Sequence, residues 1–393
     1  MNQELYLVFL LFFLASAAVI IFAMIGYPVI IKLLDKFIKP SKHQKDFSYR
    51  PFVTLMIVAH NEEKVIQKKI ENALSLDYPV DKLEIIIASD HSTDNTNAIV
   101  EKNIQSYPER EIRLFCSSER KGKTNAQNEA QKTVNSEILV MTDANAILKE
   151  NAISELVSMF IEPDIAYVCG RLVYINSDDS KISLLESTYW DLDLTIRDIE
   201  SRMKTITAGN GALYACRNNE YIDFMPIECH DSAMPVYYAL HQKRALFNAD
   251  AIAYEKAGEN ISDEWKRKVR MARMLLHGIV PSFKVFNFVK YGWFSFFYFG
   301  HRTCRYSLGL AHIIFFISSL GLVYEGGFFF LLILLTQILL FVCAIFCLRV
   351  TYSLKLLNML CYYLLTICAQ IVGVYQIVTG KVRSFWEKAE TTR

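Results

Sequence analysis

The stretch from Ser136 to Asn145, SEILVMTDAN, is an apolar run that stops at a carboxylate and an amide two residues apart. Its apolar and β-branched residues predict a buried strand, and Asp143 and Asn145 stand where that strand ends. Such a polar ending is an ordinary turn in many proteins. It is also where a parallel sheet presents ligands to a metal ion or a phosphate group. The neighbouring segments distinguish the two interpretations.

Three further apolar strands precede this one, and helical patterns alternate with them. The strands are FVTLMIVAH at residues 52–60, LEIIIASD at residues 83–90 and IRLFCS at residues 112–117. Strands that alternate with amphipathic helices predict an α/β domain with a mostly parallel sheet that helices cover. We expect this domain to occupy residues 50–278.

Polar residues follow every one of these strands. They are His60-Asn61-Glu62 after the first strand, SDHSTDNT (residues 89–96) after the second and Lys121-Gly122-Lys123 after the third. Any one set alone is explained by a helix cap or a turn. Four sets at one edge of one sheet indicate a ligand pocket beyond the carboxyl ends of the strands.

The residue types in that pocket indicate a bound diphosphate. Lys123 begins a helix behind a glycine, where free N–H groups and the helix dipole favour an anion. Asp143 and Asn145 offer the hard oxygen ligands that Mg²⁺ or Mn²⁺ prefers when it bridges phosphates. The chain has neither G-x-x-x-x-G-K-[ST] nor G-x-G-x-x-G, which argues against an ATPase and a dinucleotide enzyme.

The second half of the central region holds three looser motifs. TAGNGALYACR, at residues 207–217, is either a plain hairpin or a turn whose glycines let a ligand approach. Asp231 begins an amphipathic helix, as its N-cap or as a functional carboxylate. Arg267, Arg270 and Arg273 lie near one helical face, where they contact either lipid headgroups or a substrate.

Four long uncharged runs flank the central region. The chain is 52% hydrophobic, and each run is long enough to cross a bilayer, so we expect one N-terminal and three C-terminal transmembrane helices. The runs are Leu5 to Ile31, Ser307 to Tyr324, Gly326 to Leu348 and Leu356 to Gly380. The expected parts are a helix and basic linker at 1–49, interfacial helices at 279–306, and three helices with a tail at 307–393.

Charge predicts the orientation and the partners. Six basic residues follow the first run whereas Glu4 precedes it, so the central region should face the cytoplasm. The basic tail with Lys381, Arg383 and Lys388 does not fit this orientation, because four crossings would place it outside the cytoplasm. A net charge of +1 argues against a nucleic acid partner. Nine cysteines without a C-x-x-C pair indicate a reduced compartment.

The order and spacing of the motifs resemble the family 2 inverting glycosyltransferases. The likeness is to the membrane-embedded branch of chitin, hyaluronan, poly-N-acetylglucosamine and exopolysaccharide synthesis. It is carried by VAHNEE, SDHSTDNT, GKTNAQN, TDAN, GNGALYA, ECHD and RKVRMAR, between about Pro51 and Gly278. It implies a Rossmann-like domain of the glycosyltransferase A type in a bacterial inner membrane. Such an enzyme moves a sugar from a nucleotide-diphospho-sugar, most often UDP-linked, to a glycan or lipid-linked acceptor.

The resemblance also implies a role for each matching residue. Nucleotide-sugar contacts fall on His60, Glu62, Asp90, Lys123, Asp143 and Arg267, with Asp90 at the base and Lys123 near the phosphates. The metal-binding D-x-D motif falls on Asp143 and Asn145. The catalytic aspartate of T-E-D falls on Asp231, and the arginine of Q-x-x-R-W on Arg270. The acceptor or donor sugar would lie near Gly209, Asn210 and Gly211.

This chain departs from the family pattern at three places. Asn145 replaces the second D-x-D carboxylate, so we expect weaker metal binding. Cys229 and His230 replace Thr and Glu in the T-E-D motif. Arg267 and Met271 replace Gln and Trp, and loss of that tryptophan weakens the case for long-chain polymerisation.

Three other functions remain as alternatives. The first is transfer of one sugar to a polyprenyl-phosphate carrier. The second is a non-enzymatic membrane protein with a nucleotide-sensing domain, which the lack of charges in the apolar runs disfavours as an ion-coupled carrier. The third, a sugar-phosphate nucleotidyltransferase, requires a glycine-rich signature after the first strand, where AHNEEK stands instead.

Overall fold

The computed structural model describes residues 3–38, 43–176, 181–258, 260–324, 327–347 and 355–382. Eight strands form one sheet: β1 (Val53–Ala59), β2 (Leu83–Ser89), β3 (Ile112–Cys116), β4 (Ile138–Asp143), β5 (Ile147–Leu148), β6 (Ile165–Tyr174), β7 (Leu213–Arg217) and β8 (Arg244–Glu255). Their order across the sheet is β3-β2-β1-β4-β7-β6-β8-β5. The four strands predicted first are therefore adjacent and occupy one half of the sheet.

The sheet is mixed. Strands β3, β2, β1 and β4 are parallel, as predicted. However, β7 runs antiparallel to both β4 and β6, and β5 runs antiparallel to β8. The prediction of a mostly parallel sheet is thus wrong for the second half. A short apolar run looks the same in either direction, so the pattern in residues 207–217 gave no strand polarity.

Helices cover both faces of the sheet. The helices of the central region are α2 (Ile66–Leu74), α3 (Thr96–Ser106), α4 (Lys123–Gln131), α5 (Ala152–Val157), α6 (Lys181–Met203), α7 (His230–Leu240), α8 (Ile261–Met271) and α9 (Leu275–Ile279). Buried side chains of α2, α3 and α5 pack on one face, and those of α4, α6 and α7 pack on the other. The sheet is thereby buried on both sides, which leaves its strand ends as the place for a ligand.

Apolar helices flank this domain. They are α1 (Gln3–Phe37), α10 (Phe288–Tyr291), α11 (Trp293–Phe297), α12 (Leu308–Tyr324), α13 (Phe328–Cys347) and α14 (Lys355–Val378), with π-helical turns at Phe22–Gly26 and Tyr298–Cys304. By length and composition, α1 and the Met359–Val378 part of α14 can cross a membrane. A third crossing is possible if Trp293–Cys304 and α12, bent by 60°, form one span.

The expected total of four crossings stays a prediction. Helix α13 is apolar and 20 residues long, which is about the length that a bilayer requires, and its crossing stays a prediction. The loop at Arg349 and the tail from Arg383 onward lie outside the described residues. The location of residues 279–306 at a membrane interface also stays a prediction.

A buried polar network joins α1 to the central domain. Glu200 of α6 accepts hydrogen bonds from the Tyr27 hydroxyl at 2.6 Å and pairs with His301 Nδ1 at 2.8 Å. Asp193, which lies two helical turns before Glu200 in α6, contacts His301 Nε2 at 3.0 Å and Arg197 at 2.7 Å. Since Glu200 is fully buried, these contacts fix the sheet relative to the apolar helices.

Candidate active site

The carboxyl ends of β1, β2 and β4 lie side by side. In the register of the sheet, Ala59 pairs with Ser89 and Val58 pairs with Asp143. The His60 ring nitrogen Nδ1 lies 2.7 Å from the carbonyl oxygen of Asp90, and the Glu62 backbone N–H donates to Thr96 at 2.7 Å. The structure therefore brings the first, second and fourth polar strand ends together, as the sequence predicts.

Asp90 ties the third strand end to the same edge. Its two carboxylate oxygens accept backbone N–H groups of Lys121 at 3.0 Å and Gly122 at 2.9 Å. The Asp90 side chain is buried, and Gly122 adopts a φ of 101°, which favours glycine. Asp90 thus shapes the loop that leads into α4, and its position at the base of a nucleotide stays a prediction.

Three charged side chains converge above Gly211. The Lys123 ammonium donates a short hydrogen bond to Asp143 Oδ1 and lies 3.4 Å from the Gly211 carbonyl oxygen. A Cβ atom on Gly211 would lie 3.0 Å from Lys123 Nζ, 3.5 Å from Asp143 Oδ2 and 4.0 Å from Asp231 Oδ2. Only a residue without a side chain keeps this space open.

The electrostatics of this trio follow from burial and proximity. Burial raises the pKa of Asp231, and the negative charge of Asp143 adds to the effect, against the opposing charges of Lys123 and Arg302. Burial disfavours the charge on Lys123, but Asp143 and Asp231 outweigh it and raise the pKa of Lys123. Lys123 is therefore a cation between two carboxylates, and Asp231 is a stronger base than an ordinary aspartate.

The three predicted residues of the glycine turn, Gly209, Asn210 and Gly211, differ in how they contribute to the pocket. The Asn210 side chain, expected on the sugar side, is buried inside the turn, where it accepts Ala212 N–H at 3.1 Å and donates to the Gly170 carbonyl at 2.7 Å. Gly209 donates its N–H to the Asp231 carbonyl at 2.7 Å, and a Cβ there would lie 2.0 Å from the Tyr167 hydroxyl. Of the three, Gly211 faces the charged cluster, whereas Asn210 and Gly209 hold the turn.

The side chains of Arg267, Arg270 and Arg273 contact or face other parts of the protein. Burial, together with the like charges of Arg267 and Arg273, lowers the pKa of Arg270 to about 10, while Asp143 acts in the opposite direction. Arg267 pairs with Glu264 at 2.9 Å, and Arg273 is buried with Nη2 3.4 Å from Cys229 Sγ. The result is a positive region beside Asp143, and its contact with a substrate instead of lipid headgroups stays a prediction.

His230 joins the two helices that carry Lys123 and Asp231. Its Nδ1 lies 3.0 Å from Gln127 Oε1, and its Nε2 lies 2.9 Å from Asn128 Oδ1 and 2.7 Å from the Tyr221 hydroxyl. Burial, and next the charge of Lys123, lowers the pKa of His230 to about 3. The imidazole is therefore neutral near pH 7 and bridges α7 to α4.

Two residues near the site are not identified from the sequence. Arg302, on the π-helical turn before α12, acts electrostatically on Asp231. Lys69 of α2 is fully buried, and burial lowers its pKa to about 7 although Asp143 and Glu255 oppose this. A signal for Lys69 is present in the sequence, since it follows Ile66 by three residues and lies on the helical face of Ile66 and Ala73.

The residues at the β4 end fit a divalent cation that a substrate completes. Asp143 and Asn145 present oxygen atoms and are both partly exposed. Among the described residues, no group of three or more His, Cys, Asp or Glu side chains forms a closed metal site. An open set of one carboxylate and one amide suits Mg²⁺ or Mn²⁺, which take their other ligands from phosphates and water.

The comparison with known families identifies this domain. Residues 54–221 match the family model described as glycosyl transferase family 2. This segment is a family 2 glycosyltransferase domain. The resemblance inferred from the seven motifs is therefore confirmed, and the match includes His60, Asp90, Lys123, Asp143 and Gly211 but ends before Asp231.

Curated relatives of this family 2 domain align over part of their length. A β-monoglucosyldiacylglycerol synthase of Synechocystis sp. is 36% identical over 113 residues, which are 29% of this chain and 24% of that protein. A poly-β-1,6-N-acetyl-D-glucosamine synthase of Staphylococcus aureus is 25% identical over 251 residues, which are 61% of this chain and 59% of that protein. The chain therefore spans from about a quarter to about three-fifths of these relatives.

A solved structure shares the fold over nearly the whole chain. A mannosyltransferase from Pyrobaculum calidifontis, in complex with GDP-Man and Mn²⁺, aligns with a TM-score of 0.71. The alignment covers 94% of this chain and 99% of that chain at 21% identity. The predicted glycosyltransferase A-type α/β architecture of the family 2 domain is thereby confirmed, and the flanking helices belong to the shared fold.

Proposed function

We propose that this protein is a membrane-bound inverting glycosyltransferase that uses a nucleotide-diphospho-sugar. The observation that carries the proposal is the convergence of Lys123, Asp143 and Asp231 on the open space above Gly211. Transfer of a sugar from a diphosphate to a hydroxyl group requires a base and a phosphate-binding cation close to each other.

Asp231 is the proposed general base. The acceptor hydroxyl oxygen forms a bond to the anomeric carbon while its proton passes to the Asp231 carboxylate. The bond from that carbon to the diphosphate oxygen breaks in the same displacement, and the diphosphate leaves with the electron pair. Because burial raises the pKa of Asp231, the carboxylate accepts a proton more readily than an exposed aspartate.

Lys123 and Arg270 are the proposed partners of the departing diphosphate. Lys123 is the first residue of α4 and follows Gly122, and the start of a helix favours an anion through its free backbone N–H groups. The positive neighbours of Arg270 favour binding of a compensating anion. Asp143 and Asn145 would hold Mg²⁺ or Mn²⁺, which supplies further charge neutralisation for the phosphates when bound.

The acceptor is proposed to be a glycan or a lipid-linked molecule. The names of the two curated relatives include a diacylglycerol product and a poly-N-acetylglucosamine product, and apolar helices adjoin the domain here. Met271, in place of the family's tryptophan, is 57% exposed, which favours transfer of one or a few sugars over long polymers. A polyprenyl-phosphate acceptor would give a chloroform-soluble product, whereas a synthase would give a water-soluble polymer.

The proposed location is a bacterial inner membrane with the domain facing the cytoplasm. The basic residues that follow α1 support this orientation. A UDP-linked donor is proposed on the strength of the family resemblance, and GDP-linked donors belong in the same test.

A donor panel tests the proposal. Purified protein in detergent with Mn²⁺ is given UDP- and GDP-sugars, and released nucleotide diphosphate is measured. The Asp231→Asn variant should lose at least about 10²-fold in turnover while it still binds the donor. Unchanged turnover in that variant would remove Asp231 as the base, and no release from any donor would contradict the transfer reaction.

A further inference from the structure

Lys69 is the most unusual charged residue of the central domain. Its side chain is completely buried in α2, between a helix face and the end of β4. Among the residues that the structure describes, no carboxylate lies within ion-pair distance of its ammonium group. Burying a lysine without a paired carboxylate costs several kcal/mol by order of magnitude. The fold therefore retains a buried amine where an apolar side chain would cost less.

The Lys69 ammonium holds both ends of one turn. It donates to the Thr142 hydroxyl at 3.0 Å and makes a short hydrogen bond to the Ala146 carbonyl oxygen. Between those two residues the chain makes a tight turn, closed by the Ala146 N–H, which donates to the Asp143 carbonyl at 3.2 Å. The turn is the one that presents Asp143 and Asn145.

A second residue of α2 holds the segment that follows. The Asn72 side chain donates to the Leu148 carbonyl and accepts the Leu148 N–H, each at 2.8 Å. Asn72 is three positions after Lys69, so both side chains leave the same face of α2. One helix face thereby holds the whole path from the end of β4 to β5, with the two metal-ligand candidates between its anchor points.

A purely structural explanation for Lys69 is weak. The Thr142 hydroxyl also donates to the Ala212 carbonyl at 2.7 Å, so β4 and β7 stay joined without the lysine. A methionine would fill the same buried space without a charge. The remaining feature that needs the ammonium is the geometry of the turn from Asp143 to Ala146.

We propose that Lys69 is a positioning residue for the cation and diphosphate edge, because it fixes the turn that carries Asp143 and Asn145. The ligand that it serves is a divalent cation bound together with a nucleoside diphosphate. This inference rests on the proposed function for the identity of that ligand. Lys69 itself contacts neither the cation nor the substrate.

The test compares Lys69→Met with Lys68→Met in the full chain. Lys68 is the preceding residue and is exposed, so its variant controls for loss of a lysine from α2. The probe is Mn²⁺, titrated with UDP or GDP present and followed by the electron paramagnetic resonance of free Mn²⁺. We expect Lys69→Met to weaken Mn²⁺ binding by about 10-fold, and Lys68→Met to match the wild type.

Thermal unfolding separates positioning from general stability. Since Lys69→Met replaces a buried amine that has no paired carboxylate with an apolar side chain, its unfolding temperature should equal or exceed that of the wild type. Weaker Mn²⁺ binding with an unchanged or higher unfolding temperature supports the proposal. Equal Mn²⁺ binding in the two variants overturns it, and so does weaker binding that comes with a lower unfolding temperature.

The same titration separates this inference from the proposed function. If the wild type binds Mn²⁺ with UDP or GDP and Lys69→Met binds it equally well, the role of Lys69 is wrong and sugar transfer is unaffected. If Lys69→Met binds it weakly but no donor is turned over by the wild type, the role of Lys69 stands and the transfer reaction is wrong. A wild type that does not bind Mn²⁺ under any of these conditions overturns the inference.

Discussion

At the scale of single residues, Asn145 tests the metal assignment. It offers an amide oxygen where the family pattern has a second carboxylate, so the turn carries one negative charge from Asp143, which already pairs with Lys123. We expect Asn145→Asp to bind Mn²⁺ about 10-fold more tightly, measured by the same titration in the presence of UDP or GDP. Equal or weaker affinity would mean that position 145 is not a ligand.

Gly211 is a second residue whose effect is local. A Cβ there would lie 3.0 Å from Lys123 Nζ, so Gly211→Ala must displace the lysine from Asp143 or narrow the space for the substrate. We expect kcat/KM to fall by at least about 10-fold, with an unfolding temperature within a few degrees of the wild type. Gly258→Ala is the matched control, because a Cβ at that glycine meets no atom closer than 3.9 Å.

At the scale of elements, His230 predicts how stability depends on pH. Its folded-state pKa of about 3 lies below the usual 6.5, so between pH 6.5 and pH 3 the unfolded chain binds a proton that the folded chain does not. The folded state should lose about 3 kcal/mol from this group at pH 4.5. The unfolding temperature of His230→Gln should therefore fall less between pH 7.5 and pH 4.5 than that of the wild type.

The control for this prediction is His241→Gln, at the exposed end of the same helix. It should keep the pH dependence of the wild type. If His230→Gln has that same dependence, the bridge between α4 and α7 does not rest on a neutral imidazole.

The elements also show what the sequence could and could not predict. Strands β1 to β4 were predicted because each combines a buried apolar run with polar residues at its end. The direction of β7 was not, since strand polarity depends on which neighbour pairs with it. Asn210 is predicted to lie near the sugar, but its side-chain amide makes hydrogen bonds within the turn instead. Lys69 is not predicted as a site residue because a lysine in a helix is ordinarily exposed.

The role of Arg273 illustrates the same limit. Helical spacing correctly places it near Arg267 and Arg270, but spacing does not tell whether that face meets lipid or protein. The answer depends on Cys229, which lies 44 positions earlier and contacts Arg273 only in the folded chain. Contacts between distant segments are the part of the site that local patterns do not encode.

At the scale of the whole molecule, the joint between α1 and the central domain decides whether the two act as one unit. Tyr27 of α1 donates to buried Glu200, and Gly300 lies so close to the Tyr27 ring that a Cβ would be 2.0 Å from it. The Glu200 atom Oε2 is buried without a hydrogen bond among the described residues. Glu200 therefore depends on Tyr27 and His301 for its partners.

Tyr27→Phe removes one of those two partners and keeps the ring packing. Loss of a hydrogen bond to a buried carboxylate costs about 1.5–3 kcal/mol, so we expect the unfolding temperature of the full chain in detergent to drop by several degrees. Tyr6→Phe, in the same helix but distant from Glu200, is the control and should unfold like the wild type. If the domain and α1 were joined only by the linker at residues 38–50, both variants would unfold alike, because the catalytic domain would not sense the loss of a hydroxyl in α1.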